Sequence, residues 1–189
     1  CLLSRGLGDV YKRQIPEGSK NSKGRAMQNL INIEQDDRVK AFICTQDLKD
    51  EEYVNSNYVI MATKMGQVKK TSLEQYSRPR SNGINAITIK DGDELLEAKL
   101  TNGNSQIMLA VKSGKAIRFE ESKTRPMGRN ASGVRGIRLK DNKDEVVGMI
   151  SVNDMDANIL VVSENGFGKR SSLEDLSLIH ISEPTRQEA

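Results

Sequence analysis

Tryptophan is absent from this chain, and three phenylalanines and four tyrosines stand among its 189 residues, so any core it builds is aliphatic. Histidine occurs once, as His180, and cysteine twice, as Cys1 and Cys44. A zinc site of the usual Cys/His spacing cannot be assembled from these, and neither can a histidine-based catalytic triad. Sparse cysteine suits a reducing, cytoplasmic setting, with Cys44, in the apolar run Ala41 to Thr45, expected in the core. No apolar run approaches the ~18 residues of a membrane span and no secretory signal is evident, so a soluble chain with no membrane partner is expected. Neither sign of charge dominates. The 29 basic residues face 26 acidic ones, a balance that does not by itself announce a nucleic-acid binder.

What the chain does have is repetition. Tyr58 to Thr71 (YVIMATKMGQVKKT), Gln106 to Phe119 (QIMLAVKSGKAIRF) and Asn158 to Ser171 (NILVVSENGFGKRS) each read as an apolar strand, a glycine-closed turn and a strand ending in a basic residue. Gly66, Gly114 and Gly166 stand where a short hairpin loop requires positive φ. Four positions later Lys70, Arg118 and Arg170 fall in register, with Lys69 and Lys169 beside two of them. The repeats are therefore expected to display a cation at one recurrent place. Upstream, Ser81 to Asp91 matches Ala131 to Asp141, with a weaker version at Gly24 to Ile33, and Glu94-Leu95-Leu96 answers to Glu145-Val146-Val147. One unit is about four short strands, the size of a propeller blade.

The ends fall outside this pattern. Written in codons, Ser4 to Gln14 (SRGLGDVYKRQ) has a reverse complement that translates without mismatch to Leu176 to Arg186 (LSLIHISEPTR). One duplex read in both directions thus flanks the insert, and it resembles a transposon end used as a sequencing adaptor. Residues 1–14 and 176–189 are accordingly expected to be non-native tails. The authentic piece is expected at 15–175, with repeats at about 15–76, 77–123 and 124–175. Setting aside Arg5, Lys12, Arg13 and Arg186 on one side and Asp9, Glu183 and Glu188 on the other leaves 25 basic against 23 acidic residues.

Charge distribution is more informative than its sum. Lys112 to Lys140 holds nine basic residues and two acidic ones, Glu120 and Glu121, while acids gather at 34–37, 47–52, 91–94, 141–145 and 154–156. In a radial stack these classes are expected on different edges. Two loops, Arg78 to Gly83 (RPRSNG) and Arg125 to Gly136 (RPMGRNASGVRG), combine small residues that permit close backbone approach with arginines that bind phosphate oxygens. The same composition suits solvated turns, and residue types alone do not choose. A phosphate-loop enzyme is excluded: at Gly168-Lys169 and Gly114-Lys115 the first glycine position holds Ser163 or Leu109, and the magnesium-binding hydroxyl is replaced by Arg170 or Ala116. Phe119 and Phe167, in hairpin strands, are expected in the core rather than stacked on bases. Adjacent carboxylates such as Asp36-Asp37 and Glu51-Glu52 are expected as turn and edge residues, and in a strand would point opposite ways, so no acid/base pair emerges.

Five segments carry a family resemblance: Gly66-Gln67-Val68-Lys69-Lys70-Thr71, Asp91-Gly92-Asp93-Glu94-Leu95, Arg118-Phe119-Glu120-Glu121-Ser122, residues 127–139 (MGRNASGVRGIRL) and Asn165-Gly166-Phe167-Gly168-Lys169-Arg170. In this order they closely resemble the C-terminal domain family of the bacterial DNA gyrase A subunit, over nearly all of 15–175. The resemblance implies an all-β fold, a β-pinwheel: a six-bladed propeller-like disc whose neighbouring blades exchange strands, with about three consecutive four-stranded blades in this chain. It implies duplex DNA as partner, wrapped on a basic rim. It also implies the rest of the gyrase A subunit, with the gyrase B subunit, in a heterotetramer that supercoils DNA negatively. ATP and Mg belong to other regions of that enzyme, and no cofactor is expected here. The catalytic residues also lie elsewhere, so Tyr53, Tyr58 and Tyr76 inherit no catalytic role. The DNA-binding candidates are Lys69, Lys70, Arg78, Arg80, Lys115, Arg118, Arg125, Arg129, Arg135, Lys169 and Arg170. The family's Q-R-R-G-G-K-G heptapeptide is absent, so the distinction from the topoisomerase IV A subunit rests on overall likeness. A propeller-like scaffold for an acidic protein partner is the rival of a different class.

Overall fold

At Gly66, Gly114 and Gly166 the backbone takes φ of +82°, +83° and +81°, the left-handed conformation a two-strand turn of this kind needs. The structure, a computed structural model, describes residues 19–24, 38–78, 83–141, 143–154 and 156–173. Both expected tails and most of the weak upstream repeat, from residue 25 onward, lie outside these. The elements in chain order are α1 (Glu51–Ser56), β1 (Tyr58–Thr63), β2 (Gln67–Ser72), β3 (Leu95–Thr101), β4 (Gln106–Val111), β5 (Ala116–Glu120), β6 (Val134–Arg135), β7 (Val146–Val152), β8 (Asn158–Val162) and β9 (Gly168–Ser172). The three repeated hairpins are β1–β2, β4–β5 and β8–β9, all antiparallel.

The first two hairpins are each completed from the next repeat. β3, just upstream of the second hairpin, pairs antiparallel with β1, and β7, upstream of the third, pairs with β4. Both junctions carry a register shift at the same repeat position, between Ala62 and Thr63 and between Ala110 and Val111. β6 returns to β2, giving sheets ordered β3-β1-β2-β6, β5-β4-β7 and β8-β9 among the described residues. Blades of decreasing strand number follow from this forward exchange.

The cores lie between blades. Ile60, Ala62 and Val68 from the first sheet meet Ile107, Leu109, Ile117, Phe119, Val146 and Met149 from the second. The alternate residues Val59 and Met61 face the other way, onto Ile43, Val54, Leu73 and Tyr76. Met108 and Val152 turn to Ile159 and Leu173 of the third blade. Period-two alternation thus feeds two different cores from one strand, as expected where both sheet faces are covered.

Three expectations are corrected. Cys44 is exposed, because Ala41 and Ile43 take the inward positions of that extended segment and Phe42 and Cys44 alternate outward. Phe167 is 80% exposed, since it follows Gly166 at the turn position that Gln67 and Lys115 hold in the other hairpins. Glu51–Ser56, part of an acidic stretch read as a turn, is a short helix whose N-cap Asp50 accepts from the Glu52 and Tyr53 amides at 3.0 and 3.2 Å. Phe119 is buried in the first inter-blade core, as its strand position predicts.

Candidate nucleic-acid interface

The recurrent cation faces the neighbouring blade. Lys70 is buried, its Nζ 3.1 Å from Glu121 Oε1 at the end of β5 and 4.2 Å from the centroid of the Tyr58 ring. Glu121 is fully buried and also accepts from Thr101 Oγ1 at 2.7 Å. Arg118 occupies the same place one blade later and is buried, but Leu173 stands there where Glu121 stands for Lys70, and its Nε and Nη1 have no hydrogen-bond partner. Lys69, on the opposite face of β2, is buried too, and its Nζ donates to the Ala86 carbonyl at 2.7 Å and to the Arg129 carbonyl. Burial, with the Arg129 charge second, pulls its pKa down to about 8.

Lys69, Lys70 and Arg118 therefore do not form the outward display expected of them. The physical reason is the sandwich: with a core on each face of β1–β2, and one on each face of β4–β5, neither face of either hairpin is open to solvent. On β9 Lys169 and Arg170 are both exposed, Arg170 on the outer face, which no described residue covers.

An exposed basic surface is built instead by the loop from Arg125. It runs along the outer edge of β2, where Pro126 bridges Lys70, the Met127 amide donates to the Lys70 carbonyl at 2.8 Å, and Val134 and Arg135 pair with Val68 and Gln67. Two glycines permit this approach. Gly133 has φ of +92° and a Cβ there would lie 2.5 Å from the Val68 carbonyl oxygen, while a Cβ on Gly136 would overlap the Val68 side chain. Thr88 ties the preceding loop alongside, its hydroxyl donating to the Asn130 carbonyl at 2.7 Å. The Arg129 amide donates to Gln75 Oε1 at 3.1 Å, which brings the loop beside the turn carrying Arg78.

Arg78, Arg125 and Arg135 are exposed and Arg129 is half-buried; none forms an ion pair with another described residue. Lys115 is exposed at the second hairpin turn, and Arg80 lies outside the described residues. Arg138 and Lys140, not singled out from sequence, extend the same exposed row. Their signal is the alternation in which Ile137 and Leu139 pack on the core and the intervening cations point out.

The acidic turns are taken up by the hairpin turns. The Met65 amide donates to Asp93 Oδ1 at 2.9 Å and the Ser113 amide to Asp144 Oδ1 at 3.0 Å, while Lys64 pairs with Glu94 at 2.8 Å and Lys112 with Glu145 at 3.5 Å. Each incoming strand is latched at the hairpin turn it joins, and at the first of these turns the Gly66 carbonyl also accepts from the Gly136 amide at 2.8 Å. Among the described residues no group of three or more His, Cys, Asp or Glu side chains is placed to hold a metal, and no helix is long and apolar enough to cross a membrane.

Stacked hairpins, the first two completed by a strand passed back from the next repeat and the first edged by a basic loop, define a propeller-like β-pinwheel. The family model described as DNA gyrase C-terminal domain, beta-propeller, matches residues 13–46, 57–102, 106–153 and 157–180. The chain belongs to the C-terminal domain family of the DNA gyrase A subunit. It is 44% identical over 176 residues to the DNA gyrase A subunit of Salmonella typhimurium, covering 93% of this chain and 19% of that protein. With the DNA gyrase A subunit of Staphylococcus epidermidis it shares 41% identity over 181 residues, 94% of this chain and 20% of the relative. The chain thus spans about one fifth of the curated relatives it matches. Among solved structures, the C-terminal domain of DNA topoisomerase IV aligns at TM-score 0.74 and 29% identity, over 82% of this chain and 47% of that one. A DNA gyrase A C-terminal domain aligns at TM-score 0.72 and 24% identity, over 84% and 50%, a likeness of fold.

Proposed function

We propose that this chain binds and wraps duplex DNA as part of a gyrase A subunit, and that the loop 125–140 with Arg78 supplies the contacts. The observation that carries this reading is a row of arginines pinned to a sheet edge and without a carboxylate partner among the described residues. Such a row offers phosphate contacts that fix a duplex in place without reading its sequence. Lys115, Lys169 and Arg170 extend it on later blades, and Arg80, outside the described residues, stands two positions from Arg78 in the sequence. In the whole enzyme, ATP and Mg, the gyrase B subunit, and the cleavage tyrosine act elsewhere. The wrapped segment supports ATP-dependent negative supercoiling in the bacterial cytoplasm, at the nucleoid. The likeness of fold to the topoisomerase IV C-terminal domain favours a second reading, a DNA-binding module of that enzyme's A subunit.

A salt titration of binding to a duplex of arbitrary sequence tests the shared reading. Replacing Arg125, Arg129 and Arg135 together by alanine is expected to lower the slope of log affinity against log salt by about 2–3, close to 0.9 for each phosphate no longer neutralised. An unchanged slope, with the fold intact, overturns it.

A further inference from the structure

A buried cation stands at the same place in both inter-blade junctions, and its surroundings differ. At the first junction Lys70 sits in a polar set. Glu121 supplies the opposite charge, with Nζ to Oε1 at 3.1 Å, and Thr101 Oγ1 and the Ser105 amide donate to that carboxylate at 2.7 and 3.4 Å. The ring of Tyr58 lies against the ammonium. The charge is cancelled within the fold.

At the second junction the cation is kept and its partners are replaced. Arg118 lies opposite Met108 on β4 as Lys70 lies opposite Ile60 on β1. Leu173 stands where Glu121 stands for Lys70. Val152 faces Gln106 as Thr101 faces Tyr58, and Ala157 precedes its hairpin as Ser105 does, so both hydroxyls are gone. Met108, Val152 and Leu173 belong to the apolar core between the second and third blades. On that face Arg118 is only 5% exposed, and its Nε and Nη1 are enclosed with no hydrogen-bond partner among the described residues.

A guanidinium does not shed its proton in a protein, so burial is not relieved by neutralisation. A buried charge left uncompensated is strongly destabilising, and enclosed donors as a rule have a partner. Gln106, in the Tyr58 position, has its Oε1 enclosed and unpartnered as well. A bond to that oxygen satisfies one donor and leaves the charge uncancelled. An amide is also smaller than the phenol that flanks Lys70, so the second junction gives up side-chain volume where it gives up negative charge.

We propose that Arg118 is the buried half of an anion site between the second and third blades, and that one small inorganic anion of chloride's size and charge does there what Glu121 does for Lys70. The guanidinium donates to the ion and matches its single charge. The Gln106 amide, whose oxygen and nitrogen exchange places by rotation, presents its NH2 group to the same ion. The bound anion thereby fastens the third blade to the second.

Hydrogen exchange at the amides joining β8 to β9 tests this, because a two-stranded hairpin is marginal alone and its protection reports docking on the second blade. With ionic strength held constant and gluconate, too large for the site, exchanged for chloride, protection is expected to rise with chloride. Above the dissociation constant the rise is about tenfold for each tenfold in concentration. Arg118→Met removes the charge and Leu173→Glu supplies the carboxylate of the first junction, and each is expected to leave protection indifferent to chloride. In crystals of the unaltered chain grown with bromide, an anomalous scattering peak is expected against the Arg118 guanidinium, a result that needs no variant to fold. Protection in the unaltered chain that ignores chloride overturns the proposal. So does a chloride dependence that survives both substitutions, or bromide found at surface arginines alone, an adventitious ion only.

Discussion

A lysine buried without a carboxylate is held by whatever lone pairs surround it, and Lys69 finds two carbonyls, those of Ala86 and Arg129. It binds two loops to β2 from within. With its pKa lowered from 10.5 to about 8 by burial, the native state gives up this proton before the unfolded state does. Between those two values the unfolded chain holds more protons, so the Lys69 contribution makes stability rise with pH; below about 8 both states are protonated and it is flat. The urea midpoint of the unaltered chain is therefore expected to rise relative to that of Lys69→Met from pH 8 to pH 10, and a constant difference would contradict the assignment. Lys70 is the contrasting case, with Glu121 as counter-ion. Lys70→Met or Glu121→Leu alone leaves a buried charge unpaired and is expected to cost about 3–5 kcal/mol in denaturant unfolding, with the double variant well short of the sum. The register of Lys70, Arg118 and Arg170 was legible from glycine spacing alone. Their direction was not: a strand shows which residues share a face, and whether a neighbouring blade covers that face depends on residues far along the chain.

At the scale of elements, the exchanged strands depend on turns that the sequence marks only as acidic. Asp93 and Asp144 each accept the amide of the residue before the turn glycine, and Glu94 is held at about 2 by its bonds to Lys40 and Lys64. Because that carboxylate's native pKa is depressed, the first latch is complete above its ordinary value of 4.5 and is lost as pH falls toward 2. The repeated Glu-apolar-apolar signal was visible in sequence, but its role as a clasp on the preceding hairpin was not, since the partners lie some thirty residues away, as with Met65 and Asp93. Helix α1 escaped notice for a different reason: a six-residue helix has too few apolar positions to show a period, and Asp50 alone signals its start. The arginine loop depends most on Gly133. Gly133→Ala adds the strain of a left-handed alanine, about 1–3 kcal/mol, to a clash with the Val68 carbonyl. Hydrogen exchange is expected to show the amides that join β6 to β2 losing protection by about tenfold or more, while β4 and β5 keep theirs. Equal loss in both regions would mean that the loop and the blades open together.

For the molecule as a whole, the repeat architecture and its three hairpins were legible because fixed glycines and apolar alternation recur along the chain. The strand count per sheet was not, because strands passed between blades leave four in the first sheet, three in the second and two in the third among the described residues. This exchange also shapes the proposed binding surface. Each blade is fixed to the next by a strand and an inter-blade core, so cations on successive edges are held at set intervals and cannot rearrange to suit a straight duplex. On the proposed function a duplex that follows them bends, and bending a 20–30 base-pair segment by 40–90° costs about 1–6 kcal/mol. That cost is already met in a closed minicircle. A small minicircle is therefore expected to bind at least about fivefold more tightly than the same sequence as a linear duplex, the factor that corresponds to the lower end of that range. The advantage should shrink when Arg78, Arg125 and Arg135 are replaced by alanine, since fewer points then fix the path. Equal affinity for curved and straight DNA, measured at one salt concentration, would show that the cations act as independent surface charges and that the blades impose no curvature.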